Sequence, residues 1–188
     1  MTIYGVSIGL IVRGALGLSP WDVLHAGVLL HVNATFGVVV MVIGAAALLL
    51  WIPLREKPGV GTVANILLVG VSIDATLAVL DEPVTVSGQV TFLMTGIVLN
   101  GVAGALYLGT HLGPSARDGL MTGLARLTGL SLRLVRTTVE LIALTTGLLL
   151  GGPLAIGTLV YALSIGPLVQ FFMPFCSVCL PGSPDPDS

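Results

Sequence analysis

Long uncharged runs alternate along this chain with short segments rich in glycine, proline and charge. Residues 23–54, 83–116 and 141–184 contain no Asp, Glu, Lys or Arg. An uncharged apolar run of about 18 residues or more is typical of a helix that crosses a membrane. We predict six such helices, over about residues 2–18, 36–54, 60–80, 89–110, 133–151 and 155–174.

Two further helical segments, residues 20–32 and 116–128, are too short to cross a bilayer. Each follows a serine and carries an aspartate three residues after it, which is the pattern of a helix-capping box: Ser19 with Asp22, and Ser115 with Asp118. We expect these helices either to lie at the membrane interface or to enter it part-way as re-entrant elements. The predicted fold is an all-α transmembrane bundle.

Composition supports the same class of protein. Of the 188 residues, 55% are hydrophobic and 9% are charged, whereas a soluble domain has roughly 25% charged residues. The net charge of −2 and the scattered basic residues leave no surface for nucleic acid. The two cysteines, Cys176 and Cys179, cannot form a disulfide framework, and we expect them to be free thiols.

Basic residues mark one side of the predicted bundle. Arg55 and Lys57 lie between the second and third crossings, Arg126 lies between the fourth and fifth, and Arg133 and Arg136 begin the fifth. Cytoplasmic connections carry an excess of Lys and Arg. We therefore predict that these connections and both chain termini are cytoplasmic.

The chain matches itself without a gap when it is shifted by 96 residues. Polar and turn-forming positions recur in this register: Gly5 with Gly101, Ser19 with Ser115, Asp22 with Asp118, Gly61-Thr62 with Gly157-Thr158, and Gly70 with Gly166. Three crossings per copy would invert the second copy, as in many secondary transporters. We predict two inverted repeats over residues 1–84 and 85–174, and a disordered cytoplasmic tail over 175–188.

Several motifs resemble those of YczE-like bacterial membrane proteins, which are related to the YitT group. The motifs are the run GLSPWDVLH at 17–25, KPGVGT at 57–62, RDGLM at 117–121, and the stretches 133–136 and 151–158. The resemblance extends over nearly the whole chain up to Pro174. It implies a multi-pass protein of the bacterial inner membrane with the same helical design, and it carries over no catalytic residues.

The aspartates of the two capping boxes have two interpretations. Asp22 and Asp118 can serve with Ser19 and Ser115 as helix caps, because a carboxylate is favourable at the positive end of a helix. Alternatively, they belong to paired gates or to ion or proton sites at symmetry-related entrances. Both interpretations remain open from the sequence.

A charge inside a crossing helix is costly and indicates function by default. Asp74 is such a residue, and we expect either a protonatable coupling site or a compensated pair with Arg13. Glu140 follows Arg136 by one helical turn, which predicts an ion pair.

Four uncharged polar residues are further candidates for a transport pathway. Thr62 and Thr158 follow glycines at the starts of predicted helices, where free N–H groups suit an anion and small residues equally suit close packing. Asn65 and Gln170 can line a cavity or join helices by hydrogen bonds.

The leading functional hypothesis is a small-solute transporter or permease-like protein that uses the inverted repeat. The alternative is a scaffold or accessory subunit that docks a partner membrane protein through the basic connection. The chain has no ATP-binding P-loop and no H-E-x-x-H motif. We therefore expect no enzymatic activity, cofactor or metal site, and we expect the lipid bilayer as the chief partner.

Overall fold

The computed structural model describes residues 1–56, 58–109 and 115–176, and these residues form eight α-helices and no strand. The all-α prediction is confirmed. The helices are α1 (Thr2–Gly14), α2 (Pro20–Leu29), α3 (Phe36–Leu54), α4 (Val60–Val79), α5 (Val86–Gly109), α6 (Ala116–Thr128), α7 (Leu132–Leu149) and α8 (Ile156–Cys176). Lys57 and the predicted tail from residue 177 onward lie outside the described residues.

Within the described residues, four helices are long and apolar enough to cross a membrane: α3, α4, α5 and α8. The other two predicted crossings differ from them. Helix α1 has 13 residues, and α7 carries Arg133, Arg136 and Glu140 among its 18 residues. Length and composition therefore indicate a membrane protein with several apolar helices.

Helix starts in the two halves share one offset. Helices α6, α7 and α8 begin at residues 116, 132 and 156, which is 96 residues after the starts of α2, α3 and α4. The side chains that cap them correspond too. Ser19 and Ser115 each accept a hydrogen bond from the backbone N–H of the aspartate three residues on, at 3.2 Å. Thr35 and Ser131 cap α3 and α7 in the same way.

The short helices each lie along the second half of a helix from the other half of the chain. Helix α2 packs along α7, and just after the end of α2 His31 Nε2 lies 3.2 Å from the carbonyl oxygen of Leu150. Helix α6 packs along α3: the indole N–H of Trp51 donates to the Ala116 carbonyl at 3.0 Å, and Arg126 donates to the Leu54 carbonyl at 2.6 Å. Each short helix therefore begins in the interior and ends beside the end of its neighbour.

Helices α1 and α5 pack against each other at the centre, with α4 against α1 and α8 against α5. The contact includes a buried polar bond, because Asn100 Nδ2 donates to Ser7 Oγ at 2.9 Å. Apolar side chains of α1 and α5, including Ile11 and Ile97, form a core cluster with Tyr161 of α8. This central layer positions the starts of α2 and α6.

Candidate functional site

The starts of the two short helices meet in the interior. The Arg117 guanidinium of α6 lies over the Trp21 ring of α2, 5.6 Å from its centroid. Arg117 Nη2 also donates to the hydroxyl of Tyr4 at 3.0 Å. Trp21 and Arg117 are one repeat offset apart, so this cation–π contact joins the same position of the two halves.

The aspartates next to this contact are held by their own helices. Asp22 is buried, accepts a hydrogen bond from Ser19 Oγ and lies 3.2 Å from His25 Nδ1. Asp118 accepts a hydrogen bond from Ser115 Oγ at 2.7 Å. Both therefore have the geometry of a capping box, and Asp22 is in addition part of a buried carboxylate–imidazole pair.

Two cavities flank the Trp21–Arg117 contact, and the repeat offset relates their linings. The small cavity has a volume of about 100 Å³ and the large cavity about 500 Å³. The residues Tyr4, Ile8, Trp21, Asp22, Asn65, Ile66 and Val69 line the small cavity, and their counterparts Asn100, Gly104, Arg117, Asp118, Tyr161, Ala162 and Ile165 line the large one. Tyr4, Trp21, Tyr107 and Arg117 line both.

Polar side chains line the large cavity. The Tyr161 hydroxyl donates to Asn100 Oδ1 at 3.1 Å, and Arg136 Nε donates to Glu140 Oε1 at 3.2 Å. Gln170 also lines this cavity. Polar groups at membrane depth are costly unless protein or water satisfies them, and they mark solute or ion pathways. The large cavity is therefore the strongest candidate for a solute site.

Helices α3 and α4 of the first half are in close contact, whereas the corresponding helices α7 and α8 of the second half are not. A Cβ atom added to Gly37 of α3 would lie 2.1 Å from the Gly70 carbonyl oxygen of α4, so the two backbones are in close contact. Asp74 extends this contact by accepting hydrogen bonds from Thr35 Oγ1 at 2.5 Å and from the Gly37 N–H at 2.7 Å. We call these four residues the α3–α4 latch.

The repeat counterparts of the latch make no such contact. A Cβ atom added to Gly166, the counterpart of Gly70, would meet no described atom within 4 Å. Gln170, the counterpart of Asp74, lines the large cavity. Helices α3 and α4 thus pack closely along each other, while the described parts of α7 and α8 are apart.

Asp74 and Arg13 have different partners. Arg13 lies 3.3 Å from Glu82 Oε1 and donates to the Leu77 carbonyl at the C-terminal end of α4, while Asp74 bonds to Thr35 and Gly37. Of the two alternatives for Asp74, the compensated pair with Arg13 is therefore not formed among the described residues. The predicted pair between Arg136 and Glu140 is present.

The remaining sequence candidates occupy separate places. Thr62 is fully buried, and Thr158 is buried with its hydroxyl accepting from the Leu18 N–H at 3.2 Å. Among the basic residues, Arg126 lies 3.0 Å from Glu56, Arg55 ends α3, and Arg133 is exposed.

Sequence reasoning missed the roles of Arg117, Tyr4, Tyr161 and His25, whereas Asn100, foreseen like Asn65 as a cavity-lining or helix-joining residue, bonds to Ser7 and Tyr161. Sequence reasoning searched the repeat for identical residues, whereas these positions pair unlike ones. Asn100 is the counterpart of Tyr4, and Tyr161 is the counterpart of Asn65. A search at the 96-residue offset for pairs of unlike polar residues would have found Tyr4 with Asn100 and Asn65 with Tyr161, but not His25, whose counterpart is Met121.

Comparison with known proteins places the chain in a family. Residues 1–174 match a family of unknown function (DUF6198). The chain belongs to this family. It is 39% identical to an uncharacterized protein of Haemophilus influenzae over 92% of this chain and 79% of that protein. It is 32% identical to the uncharacterized membrane protein YczE of Bacillus subtilis over 93% of this chain and 82% of that protein.

A second Bacillus subtilis protein, the uncharacterized protein YyaS, is 28% identical over 92% of this chain and 88% of its own length. No solved structure matches the chain. The resemblance to YczE-like proteins is confirmed, and with its apolar helices the chain is a membrane protein.

Proposed function

We propose that this protein is a small-solute transporter or permease-like protein of the bacterial inner membrane, built as an inverted repeat. The observation that carries the proposal is the pair of cavities whose linings correspond at the 96-residue offset and which meet at Trp21 and Arg117. Secondary transporters place their solute site at such a repeat interface.

The directions of α3 and α7 support the inversion. The end of α2, which leads into α3, lies at the end of α7, as the contact between His31 and Leu150 indicates. The end of α6, which leads into α7, lies at the end of α3, as the contact between Arg126 and Leu54 indicates. The two counterpart helices therefore run in opposite directions. On this proposal α1 and α7 join α3, α4, α5 and α8 to complete the six crossings, and α2 and α6 are re-entrant.

The unequal cavities support alternating access. Transporters with inverted repeats expose the central site first to one side and then to the other by moving one repeat against its partner. The latch closes α3 on α4, while the large cavity is lined by Arg136 of α7 and Gln170 of α8. Because α7 begins at the end that carries Arg55 and Arg126, we assign this opening to the cytoplasmic side, with both termini cytoplasmic.

The proposal assigns no chemical step to the protein. Its polar residues bind and guide a solute, with Asp22, Asp118 and Asn65 beside the central contact and Gln170 in the large cavity. The latch gives Asp74 a gating role. Thr62 and Thr158 support the helix starts through close packing.

A ligand screen followed by a flux assay tests the proposal. Purified protein is heated with a library of bacterial metabolites, because a solute that binds the folded state raises the unfolding temperature. Each radiolabelled hit is then assayed for counterflow into proteoliposomes. We expect at least one hit to accumulate, and Ala162→Phe, which fills the large cavity, to abolish its uptake.

Leu163→Phe is the matched control, because Leu163 is 77% exposed on the outside of the same helix. It should retain uptake. Stabilising hits without counterflow of any of them would contradict transport and favour the alternative of a scaffold that docks a partner membrane protein.

A further inference from the structure

Arg117 differs from three other arginines of the chain, which form ion pairs. Arg13, Arg126 and Arg136 each lie within 3.3 Å of a glutamate oxygen. No carboxylate of the described residues forms such an ion pair with Arg117, whose guanidinium instead contacts the Tyr4 hydroxyl and the Trp21 ring. A guanidinium has five N–H donors, and the hydrogen bond to Tyr4 is the one that Arg117 makes among the described residues, so other donors remain for a bound acceptor.

The nearby aspartates are engaged elsewhere. Asp22 is bonded to Ser19 and His25, and Asp118 is bonded to Ser115. Each also lies in the first turn of a short helix, where the helix dipole stabilises its negative charge. These carboxylates therefore form no direct ion pair with Arg117, although both interact electrostatically with its guanidinium.

The Trp21 ring lies beside the guanidinium. Trp21 is only 8% exposed, and its buried indole Nε1–H has no hydrogen-bond partner among the described residues. The other indole, that of Trp51, donates to the Ala116 carbonyl at 3.0 Å. Trp21 and Arg117 line both cavities, so a ligand held by the guanidinium would lie against the Trp21 ring.

Aromatic side chains surround the guanidinium. All three tyrosines of the chain, Tyr4, Tyr107 and Tyr161, line the large cavity together with Trp21. Its volume of about 500 Å³ accommodates a small organic molecule. The site thus combines two arginines, Arg117 and Arg136, and two carboxylates, Asp118 and Glu140, with aromatic ring surfaces.

We propose that the large cavity binds a small carboxylate with an apolar or aromatic body. Its carboxylate accepts hydrogen bonds from Arg117, and its body lies among the tyrosines and beside the Trp21 ring. Arginine suits this role because its planar fork matches the two oxygens of a carboxylate. The inference deepens the proposed function by naming the chemical class of the solute.

A matched series of three probes tests the charge requirement. Benzoate, benzamide and benzylammonium share a ring but carry an anion, a neutral amide and a cation. The full chain in detergent is heated with each probe at constant ionic strength, and Kd is obtained from the shift in unfolding temperature. We expect benzoate to bind at least tenfold more tightly than the other two. Equal binding of benzoate and benzamide would overturn the proposal.

Substitutions test the residue assignment. Arg117→Gln should weaken benzoate binding at least tenfold, and Arg117→Lys should weaken it less because the charge remains. Arg133→Gln is the control, since it removes the same charge from an exposed position outside both cavities. Unchanged benzoate binding in Arg117→Gln would overturn the proposal.

A second measurement remains decisive if Arg117→Gln does not fold. In Trp51→Phe, the fluorescence comes from Trp21 alone, and benzoate should change it in a saturable way while benzamide should not. No saturable change would count against the carboxylate site. These assays use no membrane barrier, so their failure would leave the transport proposal intact, and failure of counterflow would leave the binding result intact.

Discussion

The two halves of the chain contain corresponding helices that surround cavities of about 100 and 500 Å³. Part of the difference comes from side-chain size, because Ile8 and Ile66 of the small cavity correspond to Gly104 and Ala162 of the large one. The comparison shows that a shared helical plan can hold one half closed and leave the other open.

The rest of the difference comes from the latch. Without a hydrophobic driving force in lipid, helices associate through close packing of small residues and through interhelical hydrogen bonds. Gly37, Gly70 and Asp74 supply both in the first half. Their counterparts are Arg133, Gly166 and Gln170, and the long Arg133 side chain cannot repeat the close approach of Gly37.

The largest effect is expected from a methyl group inside the latch. In Gly37→Ala the new Cβ would lie 2.1 Å from the Gly70 carbonyl oxygen, so α3 and α4 must separate. We expect a loss of about 3 kcal/mol in the free energy of unfolding, the upper end for overpacking. Gly166→Ala should cost nothing or stabilise slightly. Unfolding titrations in mixed micelles measure both variants. Equal losses of unfolding free energy would contradict the difference in helix packing between the two halves.

A smaller effect is expected from the charge of the latch. Asp74→Asn keeps the shape but weakens the hydrogen bonds from Thr35 and from the Gly37 N–H. We expect a loss of about 1.5 kcal/mol, since bonds to charged groups are worth more than neutral ones. Hydrogen exchange at the start of α3 should become faster. Gln170→Asn is the control, and the prediction fails if it accelerates exchange in α3 as much.

The smallest effect on stability is expected from exchanging a residue between the cavities. Ala162→Ile places in the large cavity the side chain that Ile66 supplies to the small one. Because the site faces open space, we expect the free energy of unfolding to change by less than about 1 kcal/mol, while benzoate binding weakens. Benzoate binding as tight as in the unaltered chain would show that the size of the large cavity has no part in benzoate binding.

The sequence predicted much of the fold and less of the site. Uncharged apolar runs fixed the helices closely, since the predicted crossings at 36–54 and 60–80 correspond to α3 and α4. The capping serines located α2 and α6, because a cap depends only on residues three positions apart. Local patterns are sufficient for such features.

Contacts between residues far apart in the sequence could not be predicted from such local patterns. A pair with Arg13 was one of the two expectations for Asp74, but Asp74 bonds to Thr35 and Gly37. The local sequence pattern could not predict this, because it does not indicate which side of α4 faces α3. The contact between Trp21 and Arg117 joins residues 96 apart that differ in chemistry. They meet because the starts of α2 and α6 lie together in the interior, not because the two residues are similar.

The most direct test compares the reactivity of two counterpart positions in the cavities. Val69→Cys and Ile165→Cys are placed singly in a chain with Cys176→Ser and Cys179→Ser, and Arg133→Cys marks the basic side. Sealed vesicles of known orientation are treated with a membrane-impermeant thiol reagent. If the two cavities open to opposite sides, as we propose, Ile165→Cys reacts from the side of Arg133→Cys, and Val69→Cys reacts slowly and only from the opposite side. Equal reaction of both cysteines from one side would contradict it.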